Sequence, residues 1–171
     1  MYTELHWVEG PWPGRLAVSA RPRGGDWLDD ELASWRHAGI DEVVSLLMPD
    51  EVQNLDLESE AARSWESGME FHSFPIIDRS IPASRTDALR FIDTLDAELA
   101  AGKNISIHCR QGIGRASLIA ASLLVARGMN PDDAFERVGR SRGIEVPETA
   151  EQRAWVEALA VDLAANSHVR K

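Results

Sequence analysis

The chain has 171 residues, 44% of them hydrophobic, and carries a formal net charge of −10. That size suits one domain, spanning 1–171, with a buried core, and the acidic balance argues against a general binder of nucleic acid or anionic membrane. A single cysteine excludes a disulfide framework and a cysteine-rich zinc site.

The histidines stand at positions 6, 37, 72, 108 and 168 without any metal-motif spacing, so neither a metal nor a cofactor is expected. No apolar run approaches the ~20 residues of a membrane span. The opening Met-Tyr-Thr-Glu-Leu-His lacks a signal peptide's basic-then-apolar character, so a cytoplasmic, reducing setting is expected, with no membrane partner.

Taken in order, Gly10 to Gly14 read as a rigid turn and Leu16 to Ser19 as a short strand. Asp26 is expected to cap a helix that buries Leu28, Leu32 and Trp35 and ends at Gly39. Val43 to Leu47 is a near-continuous β-rich run, predicted as a central strand. Two short helices, Pro49 to Leu55 and Glu58 to Ser67, precede a strand over Met69 to Phe74. Pro75 to Pro82 is a loop with proline at both ends, and Ser84 with Asp87 opens a helix that ends at Gly102. A strand through Ile105 and Ile107 leads to a loop and an apolar helix stopped by Gly128. Asn130-Pro131 starts a further helix, Arg140 to Pro147 reads as loop, and the last helix runs from about Glu148 to Ala165. Its inward residues are expected to be Trp155, Val156, Leu159 and Leu163. Alternating strands and helices predict an α/β fold: three layers, with a mainly parallel central sheet and helices on both faces.

The stretch His108-Cys109-Arg110-Gln111-Gly112-Ile113-Gly114-Arg115 joins that apolar strand to the apolar helix. A glycine-containing loop at a helix N-terminus turns backbone N–H groups toward a common centre, which suits a phosphate and activates a thiolate. Arg115 can grip two phosphate oxygens with its planar fork. Cys109, five residues and Arg115, preceded by His108, resembles the signature loop of cysteine-dependent protein tyrosine and dual-specificity phosphatases.

That resemblance implies the three-layer phosphatase fold and hydrolysis of phosphomonoesters through a phosphocysteine, with Cys109 as nucleophile and Arg115 as phosphate clamp. It implies an acid on a separate loop upstream, where Asp78 stands; the alternative is that Asp78 only initiates a turn. Arg110, Gln111, Gly112, Ile113 and Gly114 would bind substrate. Gln152 resembles a glutamine that places the hydrolytic water, although Thr149 and Gln152 also have capping-box spacing. His108 should point away from Cys109 and orient the loop backbone. The family usually has Ser or Thr after the arginine, where this chain has Ala116; Ser117 lies about 100° around the helix. The expected partner is a phosphorylated protein or a small phosphomonoester, bound by a monomer. Two other readings remain open: a catalytically impaired phosphoprotein-binding module, and a rhodanese-type sulfurtransferase, whose loop is typically one residue shorter.

Overall fold

The computed structural model describes residues 1–169. Among these, five strands form one sheet in the order β1-β2-β5-β3-β4: β1 His6–Val8, β2 Leu16–Ala20, β3 Glu42–Ser45, β4 Glu70–Ser73 and β5 Ile105–Cys109. Only the β1–β2 pairing is antiparallel; β2, β5, β3 and β4 run parallel, so the sheet is mixed but mostly parallel. The helices are α1 Leu28–His37, α2 Pro49–Asn54, α3 Glu60–Glu66, α4 Arg85–Ala100, α5 Arg115–Ala126, α6 Pro131–Arg142 and α7 Ala150–Val169.

The alternation of strand side chains decides which helix covers which face. On β5, Ile105, Ile107 and Cys109 join the core formed with α4, α5, α6 and α7. Val43 of β3 belongs to the second core, with Leu28, Leu32 and Trp35 of α1. The result is three layers with the sheet in the middle. Helix α5 is buried from Arg115 through Val125, as its apolar sequence on every side requires. None of the described helices is long and apolar enough to cross a membrane.

Several boundaries differ from those expected. The strand expected over Val43 to Leu47 ends at Ser45, because Met48-Pro49 opens α2 and Leu46 and Leu47 turn into opposite cores. Asp26 lies in a 3-10 turn, Gly25–Trp27, that runs into α1 without a side-chain cap. Helix α6 runs on through Arg140 to Arg142, inside the predicted loop, and stops where Gly143 takes φ 77°, a left-handed conformation that glycine adopts readily. Leu163 is 37% exposed rather than inward, whereas Trp155, Val156 and Leu159 are buried. Strand β1 had no expected counterpart.

Leu123 is fully buried in α5. Leu123→Ala should therefore lower stability by about 2–5 kcal/mol in urea denaturation. A loss below about 1 kcal/mol would mean that α5 is not the core helix.

Candidate active site

Strand β5 ends at Cys109 and α5 begins at Arg115, so the intervening loop is held at both ends by buried elements. Gly112 has φ 72°, and a Cβ there would lie 2.5 Å from the backbone of Ser19 in β2. Only glycine lets the loop fold this closely against that strand. Three successive loop carbonyls are engaged from outside. Arg110 O accepts from Arg21 N–H at 3.3 Å. Gln111 O accepts from Arg142 Nη2 at 2.8 Å, and Gly112 O from Arg142 Nε at 3.1 Å. Carbonyls fixed outward leave peptide N–H groups to face inward, and Gly112 N–H donates to Cys109 Sγ at 3.3 Å.

Arg115 is 1% exposed, and both terminal nitrogens of its guanidinium are engaged. It donates to both Glu51 oxygens, at 2.6 and 2.9 Å, and to Ile76 O at 2.8 Å. Its Nη2 also lies 3.2 Å from Asp78 Oδ1. Burial opposes the Arg115 charge, but hydrogen bonds to Glu51 and the fields of Cys109, Glu51 and Asp78 prevail and raise its pKa. Burial likewise works to raise the Glu51 carboxyl. Hydrogen bonds from Arg115 and the Met48 N–H, with the charges of Arg115 and Arg110, hold it below its ordinary range.

Asp78 lies in the turn Ile77–Ser80, closed by Ser80 N–H to Ile77 O at 3.0 Å, with Arg79 at φ 62°. It therefore shapes a turn and faces Arg115 at once. A cleft of about 170 Å³ brings Asp78, Arg79, Cys109, Arg110, Gln111, Arg115 and Glu148 together. A larger hollow of about 460 Å³ beside the N-terminal segment contains neither cysteine nor arginine.

The other expected site residues lie outside that lining. Gly112 contributes its N–H, Ile113 packs on the core, and Gly114 is the N-cap of α5. Gln152 is buried and its amide is occupied. Its Oε1 accepts from the N–H groups of Glu148 and Thr149, while Nε2 donates to Ser80 O at 3.1 Å. Thr149 Oγ1 accepts from Gln152 N–H, which completes the capping box and ties the Asp78 turn to the start of α7. His108 points to the opposite face, where Nε2 lies 2.6 Å from buried Glu60. Ala116 is buried, and Ser117 Oγ has no hydrogen-bond partner, so it makes no bond to the sulfur.

Glu51 and Glu148 were not among the residues proposed from sequence. Glu51 sits 64 residues before Arg115, and its only local signal is an acid at the capping position of α2, where it accepts from Met48 N–H.

Comparison with known proteins bears on the fold and the family. The family described as "Polymorphic toxin system, DSP-PTPase phosphatase" matches residues 18–129. Kinase-associated phosphatase, solved with its catalytic cysteine replaced by serine, superposes with a TM-score of 0.86 at 19% identity, covering 96% of this chain and 98% of that one. The active form of Tk-PTP gives a TM-score of 0.75 at 25% identity, over 92% of this chain and 96% of its own. A protein tyrosine phosphatase from Leishmania major gives 0.72 at 22%, over 90% and 97% respectively. No curated protein sequence gives a significant match. The fold and loop define a phosphatase of the dual-specificity and tyrosine class. The chain belongs to the polymorphic-toxin-system DSP-PTPase phosphatase family.

Glu51→Gln removes one partner of a buried ion pair and should cost up to about 3–5 kcal/mol at neutral pH. Because the Glu51 pKa is depressed in the fold, its stabilisation is present above the unfolded carboxyl pKa and is lost as pH falls through the folded value. The gap between wild type and variant in urea denaturation should therefore close in acid. A gap that stays constant below about pH 3 would contradict the pairing.

Proposed function

We propose that the chain hydrolyses phosphomonoesters on phosphoproteins through a phosphocysteine, with phosphotyrosine as the main substrate and phosphoserine or phosphothreonine as further ones. The observation that carries this reading is the meeting of Cys109, Arg115 and Asp78 in one small cleft. Cys109 Sγ attacks phosphorus in line, forming an S–P bond as the bond to the leaving oxygen breaks. Arg115 and the inward loop amides carry the charge of the transferring group. Asp78 gives its proton to the leaving oxygen, then takes one from the water that cleaves the S–P bond and frees the thiolate. At about 170 Å³ the cleft is smaller than the ~300–1,000 Å³ of small-molecule pockets, which favours a phosphorylated side chain over a whole cofactor-sized ligand. Arg79, Arg110 and Glu148 at its rim would meet the flanking peptide. A reducing compartment suits the free thiol, and the enzyme is taken to act as a monomer.

Hydrolysis of p-nitrophenyl phosphate in the presence of a chelator tests the reading. Wild type should turn over, and Cys109→Ser should lose activity while still binding vanadate. Residual activity above a few per cent in that variant would remove Cys109 from the mechanism.

Ala116 sets the expected rhythm of turnover. A hydrogen bond to a charged group is worth roughly 1.5–3 kcal/mol, so the missing hydroxyl slows thiolate release by roughly 10- to 160-fold at most. Rapid-quench kinetics should show a burst of p-nitrophenol, and Ala116→Ser should raise kcat. No burst, with kcat unchanged in Ala116→Ser, would show that alanine costs nothing here.

A further inference from the structure

At the opposite end of the sheet from Cys109, the first residues of β3 and β4 place a second group of chemistry-bearing side chains together. Glu42 opens β3 and pairs in register with Glu70, which opens β4; His72 follows two residues later on the same face. One donor atom from each of Glu42, Glu70 and His72 lies within 4.8 Å of the others. The Glu42 side chain is 0% exposed, yet neither of its carboxylate oxygens has a hydrogen-bond partner. His72 Nε2 is also buried without one. A buried carboxylate without a hydrogen bond is costly, and chains keep such groups where a cation completes them.

The spacing fits a metal better than a hydrogen-bonded pair. His72 Nε2 lies 3.4 Å from Glu42 Oε2, without the alignment of a hydrogen bond, and 3.8 Å from Glu70 Oε2. Tetrahedral zinc with bonds of about 2.0–2.1 Å needs ligand atoms roughly 3.3 Å apart. Glu98, on α4, is a further carboxyl beside Glu42. It brings no cation to the site. We propose that Glu42, Glu70 and His72 form a structural site for a divalent transition-metal ion, which ties the edge strand β4 to β3. One imidazole and two carboxylates suit zinc over magnesium, which prefers oxygen ligands alone. The site lies outside the cleft and stands or falls independently of the phosphatase reading.

The test uses the full chain in a Cys109→Ser background, so that the active-site thiol cannot bind the probe. Metal-free protein is titrated with Zn²⁺ against a chromophoric chelator, and thermal unfolding is followed with and without the ion. One equivalent should bind and raise Tm, Mg²⁺ should not substitute, and His72→Gln should weaken binding at least tenfold. Glu70→Gln, at a 60% exposed side chain, keeps the fold safe and should also weaken it. Glu42→Gln should raise the metal-free Tm, because it removes a buried charge that no hydrogen bond satisfies, and should abolish the zinc-dependent rise. No zinc binding, equal binding in the His72 and Glu70 variants, or a lower metal-free Tm in Glu42→Gln would overturn the site. The last result would mean that Glu42 is held by a protonated His72 or shares a proton with Glu98.

Discussion

The bidentate pair between Arg115 and Glu51 is the interaction on which the cleft end of the molecule depends. Arg115 is the first residue of the buried helix α5, and its guanidinium reaches out between the carbonyls of Leu46 and Ile76. A cation at 1% exposure is tolerated only when it is paired and hydrogen-bonded, and Glu51 meets both terminal nitrogens. The pair fixes the plane of the fork before any substrate arrives. It also joins the ends of β3 and β5 to the Asp78 loop, since Nη1 bonds Ile76 O and Nη2 faces Asp78. The geometry of the candidate site is therefore set by packing and charge pairing in the resting fold.

A second set of ties comes from α7. Gln152 Nε2 bonds Ser80 O, and Arg79 lies 3.1 Å from Glu148 across the rim. The same glutamine closes the helix cap, so the start of α7 and the Asp78 turn are positioned as one piece. Gly114 shows how tight this assembly is: a Cβ there would lie 2.6 Å from Glu148 and 2.9 Å from Gln152. The glycines of the loop thus serve close approach on two sides, to β2 at Gly112 and to α7 at Gly114.

Much of this was legible in the sequence because it is local. The Cys109–Arg115 loop, the apolar runs around it, and the caps at Ser84 and Asn130 lie within a few residues of their partners, and the structure places them as read. The proline-bounded Asp78 loop could be placed only by resemblance, since nothing local ties Asp78 to Cys109. What escaped was the long-range pairing. Glu51 with Arg115, Arg142 with the carbonyls of Gln111 and Gly112, and Glu42 with His72 are contacts that only the fold brings about. The helix through Arg142 was missed because Gly139 weakens the helical pattern. In the structure, Glu136 and Arg140 support that turn, and Gly143 supplies the stop. Leu163 is exposed although periodicity marks it as inward, since period alone does not show where a helix outruns the core it covers.

The central claim is that Glu51 acts on phosphate through Arg115, and a double-mutant cycle measures it. The inhibition constant for inorganic phosphate would be determined in wild type, Glu51→Gln, Arg115→Lys and the double variant. Each single change should weaken phosphate binding, and Glu51→Gln should cost little more once Arg115 is lysine, giving a coupling of at least about 1 kcal/mol. Strictly additive losses would contradict the account, because they would mean that Glu51 does not orient the arginine that grips the phosphate.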